Sequence, residues 1–412
     1  MNAKEIQALD AQYVAHTYAR APFVIERGEG VRLYDTEGKS YIDCVAGIAV
    51  NALGYGDRDI QAAIADQMTR LMHISNLYLT APQAQLAKML VERSFADKAF
   101  FCNSGTEAIE AAIKFARKWA RKHGGPDKIE FVVFSHAFHG RTIGALALTP
   151  RSYYQDAFKP LMPGVQVAEY NDLASAEALV SDNTCAVVVE PVQGEGGIHA
   201  ATPAFLQGLR ALCQRHNALL IFDEVQCGLA RTGTLWAHEP YGVTPDLMAL
   251  AKPLGGGLPM GAMLMTQAVA DAIEPGDHAS TFGANPVICA AAQVALTKLS
   301  APAFLAHVCE MGAYLQAGLS ALQHKHACIR EVRGRGLMWG IEAGGEYSSP
   351  DVAPVIEAGY ARGLITCKAG ANVVRLVPPL VIQEQDLAEV LSILDAAFDV
   401  LEGGNAQGAA RG

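Results

Sequence analysis

Four short apolar runs, Phe131–Phe134, Ala186–Val189, Leu219–Phe222 and Leu247–Ala251, contain no polar residue. A strand with one face in water alternates polar and apolar residues, so unbroken runs of this length describe strands buried on both faces. Helical patterns such as Thr106–Lys122, ahead of the first run, and Ala204–Arg215, between the second and third, alternate with them. Strand and helix in alternation predict an α/β fold, a mostly parallel sheet with helices on both sides. The texture starts near residue 57 and predicts a large domain over 57–300. Upstream, after a short N-terminal helix, Phe23–Ile25, Val31–Tyr34 and Ser40–Asp43 alternate with Gly- and Asp-rich turns, the pattern of a small antiparallel meander. Downstream of one helical stretch, Val294–Gln323, the runs Ile329–Val332 and Leu337–Ile341 read as short strands and Asp386–Leu401 as a helix. Residues 1–56 and 301–412 are expected to form one smaller α+β domain from both chain ends, with the Gly-rich end, 403–412, frayed.

With 412 residues, 51% hydrophobic and 18% charged, the chain is long and apolar enough for a large core. A formal net charge of −10 argues against nucleic acid or an anionic membrane as partner, since both need a basic face. Any anionic ligand must therefore meet a local positive site. The nine cysteines are scattered through apolar stretches with no CxxC pair, which predicts reduced, mostly buried thiols in a cytoplasm. The start, Met1 to Glu5, has no apolar leader, and no uncharged run approaches the length of a bilayer span, so a cytoplasmic location is expected. There is no GxxxxGK[ST] loop, and neither Gly194–Gly197 nor Gly334–Gly336 continues as GxGxxG, so phosphate-loop and dinucleotide readings lack support. The histidines of Ser135–Thr142 have no zinc-like spacing, and no metal is expected.

In open α/β sheets ligands collect beyond the carboxyl ends of the strands, so the residues that follow each strand matter most. Ser104-Gly105-Thr106 follows the run Ala99–Cys102 and opens a long helix. A helix N-terminus offers free N–H groups and a partial positive charge to an anion, although an ordinary Ser/Thr cap has the same sequence. Asp223-Glu224 closes Leu219–Phe222; Asp223 can pair with a ring nitrogen of a cofactor, and Gln226 can donate to a phenolate oxygen of the same ring. Carboxylates are also common at strand ends. Lys252 ends Leu247–Ala251 and precedes Pro253 and Gly255–Gly257. Desolvation there lowers the pKa of an amine, which a Schiff-base nucleophile requires, whereas an uninvolved lysine would extend to solvent. Within Ser135–Thr142, Phe138 can stack on a planar ring and Arg141 can grip a carboxylate with both arms of its fork.

Taken together, Ser104-Gly105-Thr106, Phe138–Thr142, Glu190–Gly197, Asp223–Gln226, Lys252 and Thr281-Phe282-Gly283 resemble, in order and spacing, the class-III aminotransferases across nearly the whole chain. The resemblance implies the fold-type I architecture of pyridoxal-phosphate enzymes and a homodimer with sites at the interface. Within the class, Gly47–Asn51 and Phe138–Thr142 look most like the acetylornithine and succinylornithine aminotransferases of arginine metabolism, while ornithine and 4-aminobutyrate aminotransferases share most of the motifs. An aminomutase and a non-catalytic binding protein on the same fold are the rival readings; mere binding needs neither Lys252 nor Asp223. The resemblance assigns pyridoxal 5'-phosphate to Lys252, its phosphate to Gly105 and Thr106, ring stacking to Phe138, the ring nitrogen to Asp223 and the phenolic oxygen to Gln226. Thr281 would reach the phosphate in the neighbouring subunit, with Ser280 near the substrate. Arg141 is expected to take the carboxylate far from the reacting amine and Arg375 the α-carboxylate of glutamate, with Glu195 pairing Arg375 when no such carboxylate is present. The implied reaction moves an amino group from an ω-amino donor to 2-oxoglutarate.

Overall fold

A computed structural model describes residues 1–344, 351–370 and 372–409. A seven-stranded sheet runs in the spatial order Lys98–Cys102, Gly261–Met265, Leu247–Leu250, Leu219–Asp223, Thr184–Val189, Glu130–Phe134, Val165–Ala168. The strands from Leu247–Leu250 outward to Val165–Ala168 pair in parallel. Gly261–Met265 pairs antiparallel with both its neighbours, so the sheet is mixed but mostly parallel, as expected.

Alternation within each apolar run feeds two separate layers. Phe131, Val133, Ala186, Val188, Leu219 and Ile221 pack on one side with Ala108, Ile109, Ala112, Phe115 and Trp119 of the helix Gly105–Gly124. Val132, Phe134, Val187, Val189, Leu220 and Phe222 face the other way, toward Phe205, Leu206 and Leu209 of the helix Pro203–Arg215. Each large side chain so buried contributes about 1.5–3 kcal/mol of transfer free energy, which explains why these runs hold no polar residue. The strands are thereby pinned on both faces and both edges, and their carboxyl ends become fixed platforms.

Both chain ends contribute to smaller sheets. Ile25–Glu29, Arg32–Asp35 and Ser40–Asp43 form an antiparallel meander that Leu364–Ile365 extends in parallel on the Ser40–Asp43 edge. A second antiparallel sheet has the order Ile329–Arg335, Met338–Ala343, Val373–Leu376, Cys367–Lys368. The backbone amide of Val377 donates to the carbonyl of Cys44 at 2.8 Å, tying one end of the chain to the other.

Three expectations about elements need correction. The first strand is Ile25–Glu29 rather than Phe23–Ile25. Its residues lie mostly at the surface, which removes the apolar signal, and Phe23 instead stacks on Tyr41 with ring centroids 4.6 Å apart. The expected helical stretch Val294–Gln323 is two helices, Pro286–Leu299 and Pro302–Lys325, bent by 65°. Pro302 has no N–H to continue the first helix and a φ suited to start the second. The last helix, Glu384–Ala409, runs through much of the Gly-rich end expected to fray; residues 410–412 lie outside the described residues. Among the described residues no single helix is long and apolar enough to cross a membrane.

At the end of Leu219–Asp223 the two adjacent carboxylates part. Glu224, 1% exposed, accepts from the backbone amides of Ala237 (2.7 Å) and His238 (2.9 Å) and lies 2.7 Å from His238 Nδ1. Its role is to hold the turn that follows the strand. Glu224→Ala would orphan two buried amides and a ring nitrogen, and is expected to lower stability by about 3 kcal/mol. Urea unfolding at fixed protein concentration checks this: a loss below about 1 kcal/mol would show that the turn holds without the carboxylate.

Candidate active site

A cavity of about 370 Å³ opens at the carboxyl ends of the parallel strands. Of the residues singled out above, Gly105, Thr106, Phe138, Arg141, Glu195, Asp223, Gln226 and Lys252 line it. Val50, Val225, Leu258 and Met260 supply apolar walls.

One end is built by the helix Gly105–Gly124, whose Ser104 cap accepts from the Glu107 amide at 3.3 Å. Gly105 is required there, since a Cβ would stand 2.7 Å from Cγ1 of Val225. The backbone amides of Gly105 and Thr106 have no intrahelical acceptor and face no protein acceptor among the described residues. The hydroxyl of Thr106 is engaged: it lies 2.8 Å from Thr142 Oγ1, which donates to Glu110 Oε1 at 2.5 Å. Because a carboxylate only accepts, the Thr142 proton goes to Glu110 and the Thr106 proton to Thr142. What remains free for an anion at this end is backbone N–H.

Asp223, 4% exposed, presents its carboxylate from the end of its strand. Oδ1 accepts from the Val225 amide at 3.0 Å, and Oδ2 lies 2.7 Å from Nδ1 of His139, which donates. Burial, the largest influence on His139, lowers its pKa, but the hydrogen bond to Asp223 and the charges of Asp223 and Glu190 outweigh it, and the net shift is upward. Glu190 accepts from the amides of Phe138 and Gly194, both at 3.0 Å, and so ties the Phe138 loop to the next one. Burial pushes its carboxyl well above the usual range. Arg141 lies with its guanidinium carbon 3.8 Å from the ring centroid of Tyr154 and 5.6 Å from that of Phe138.

Lys252 follows Leu247–Leu250, beside the Asp223 strand, and has a left-handed backbone with φ 47°. Such a conformation in a residue other than glycine costs about 1–3 kcal/mol and persists only where the surroundings impose it. Among the described residues no hydrogen bond or ion pair holds its amine. Burial depresses its pKa to about 8, with Glu195 acting against the fall and Arg375 adding to it.

Arg375 does not line the cavity but stands behind it, 2% exposed. Its Nη1 pairs with Glu195 and donates to Gln226 Oε1 at 3.0 Å, while Gln226 Nε2 donates to Glu195 at 3.3 Å. Burial, the largest influence on Glu195, raises its pKa, but Arg375 and Lys252 bring it below the ordinary value. Ser280 Oγ accepts from Nδ2 of the cavity-lining Asn103 at 3.1 Å. Thr281 is outside the cavity and lines a small crevice with His73, Asn76 and Gly283. Residue reasoning gave no role to His139, Glu190, Glu110 or Cys367. The first two follow strands, so the same end-of-strand rule reaches them; the others declare themselves only through their contacts.

The family model for class-III aminotransferases matches residues 13–398. The chain is 49% identical over 405 residues to a mitochondrial acetylornithine aminotransferase of Alnus glutinosa, covering 97% of this chain and 89% of that protein. It is 46% identical over 389 residues to a succinylornithine transaminase of Yersinia enterocolitica, covering 93% and 94%. An ornithine aminotransferase of Toxoplasma gondii, with pyridoxal phosphate at partial occupancy in its active site, superposes with a TM-score of 0.93 at 33% identity, covering 97% and 95%. The chain belongs to the class-III aminotransferases. It is a pyridoxal-phosphate-dependent enzyme of the fold-type I architecture.

The depressed pKa of Lys252 has a direct readout. In the cofactor-free protein, amine-selective labelling mapped by mass spectrometry should show Lys252 reacting with a midpoint near pH 8, where ordinary lysines, with pKa about 10.4, react little. A midpoint indistinguishable from surface lysines would contradict the desolvated site.

Proposed function

We propose that the enzyme moves the ω-amino group of an N-acylornithine, N-acetylornithine or N-succinylornithine, to 2-oxoglutarate, leaving the semialdehyde and glutamate in arginine metabolism. The names of the relatives support this substrate class. The observation that carries it is the buried pair Arg375–Glu195 beside Lys252. An ω-amino donor brings no carboxylate close to its reacting amine, and an unpaired buried guanidinium is costly, so Glu195 holds Arg375 during that half. Glutamate does bring an α-carboxylate there; it displaces Glu195 and takes Arg375. Arg141, at the cavity wall and without an acidic partner among the described residues, grips the far carboxylate in both halves.

The residues also fit the cofactor. The unpartnered amides of Gly105 and Thr106 suit its phosphate. Phe138 would stack on the ring, Asp223 would meet the ring nitrogen, Gln226 the phenolic oxygen, and the amine of Lys252 would hold the cofactor covalently. When bound, pyridoxal phosphate supplies an electron-accepting ring. Lys252, with a pKa near 8, is matched to take a proton from the substrate carbon and return one at neutral pH. Thr281, outside this cavity, would serve the site of a second copy, with Ser280 near the substrate. The exposed Met72, Leu77, Tyr78, Leu79 and Phe282 give that face the apolar surface a homodimer would cover. We take residues 57–300 as the cofactor domain, 1–56 and 301–412 as the smaller one, and a cytoplasmic location as the setting.

An amine-donor screen on the holoenzyme with 2-oxoglutarate, scoring glutamate formed, tests the reading. N-acetylornithine or N-succinylornithine should exceed free ornithine and 4-aminobutyrate in kcat/KM by at least about tenfold, a difference of ~1.4 kcal/mol in transition-state binding. A preference for 4-aminobutyrate or ornithine would overturn the substrate assignment and leave the enzyme class intact.

A further inference from the structure

Cys367 and Arg375 are directly opposed residues of two antiparallel strands, Cys367–Lys368 and Val373–Leu376. Directly opposed side chains share a face of the sheet and lie in reach of one another. Here the sulfur is 3.4 Å from both Nε and Nη2 of the guanidinium. The fork of Arg375 is thus divided: Nη1 faces Glu195 and Gln226, while the opposite side faces one sulfur. Burial raises the pKa of the Cys367 thiol, with the charge of Arg375 acting the other way. A neutral thiol accepts weakly and leaves the charge of the arginine intact for a carboxylate that arrives on the other side.

Resting on the reading of Arg375 as the grip for the α-carboxylate, we propose that Cys367 is a positioning residue, its sulfur holding the guanidinium plane while Glu195 gives way to a dicarboxylate substrate. In the amine-donor half Glu195 and Gln226 hold Nη1, and loss of the sulfur changes little. In the dicarboxylate half Glu195 leaves, and the sulfur becomes the protein's hold on the Nε side. Cys367 thereby tunes one of the two half-reactions.

Glutarate, an unreactive dicarboxylate, probes this by calorimetry on the holoenzyme, beside single-turnover kinetics of each half. Cys367→Ala should weaken glutarate about tenfold, the effect of losing a hydrogen bond to a charged group, and leave the acylornithine half unchanged. Cys367→Ser, which keeps an acceptor, should stay within about threefold of the parent. Should the alanine variant not fold, Cys367→Asp carries the test: a permanent anion on Arg375 should weaken glutarate more than about tenfold. Arg375→Ala is the control. If it loses glutarate selectively while Cys367→Ala or, in its place, Cys367→Asp does not, the role of Cys367 is refuted and that of Arg375 stands. Equal damage to both halves by Cys367→Ala would make the sulfur mere packing and also refute it. If Arg375→Ala binds glutarate as the parent does, both assignments fall.

Discussion

A carboxylate buried at the end of an apolar strand is tolerated only where donors are already in place, and Asp223 has two, the Val225 amide and His139 Nδ1. The rest of the site is arranged around that constraint. The Asp223 strand pairs in parallel with Leu247–Leu250 on one side and Thr184–Val189 on the other, with Asp223 in register with Ala249. Lys252 stands just past that neighbouring strand, and Glu190 just past the other. Adjacent strands are about 4.8 Å apart, so amine and carboxylates converge on one cavity without any loop having to position them.

A second constraint is the buried guanidinium of Arg375. Breaking a buried ion pair by removal of one partner costs about 3–5 kcal/mol, so a guanidinium at 2% exposure needs a partner at every stage of a cycle that brings and removes carboxylates. In the proposed cycle Glu195, on the loop after Val192–Gln193, is the partner that leaves and returns, while Arg375 lies within a sheet strand. On that proposal one pocket serves two substrates of different charge pattern in alternation.

The elements most legible in the sequence were those buried on both faces, because full burial removes polar residues whatever the tertiary context. Leu219–Phe222 and Leu247–Ala251 announced their strands, and the rule that ligands gather at strand ends then led to Asp223 and Lys252. Ile25–Glu29 was missed by shift because a surface strand carries no apolar signature. Val294–Gln323 concealed a break because Pro302 marks a helix start as readily as an interruption. Contacts far apart in the chain gave no local sign: His139 meets Asp223 across 84 positions, and Cys367 meets Arg375 only once the pairing of their strands is known. The role assigned to Thr281 depends on a second copy of the chain, which no single sequence displays.

In the proposed site the Asp223 carboxylate would hold the ring nitrogen of the cofactor protonated, and so make the ring an electron sink. Asp223→Asn keeps size and hydrogen-bonding capacity but removes the charge. Single-turnover kinetics on the variant, at confirmed cofactor occupancy, is the direct measurement. A fall of at least about 100-fold in both half-reactions, ~2.7 kcal/mol of transition-state stabilisation, is the predicted result. Turnover close to that of the parent, with the cofactor bound, would contradict it.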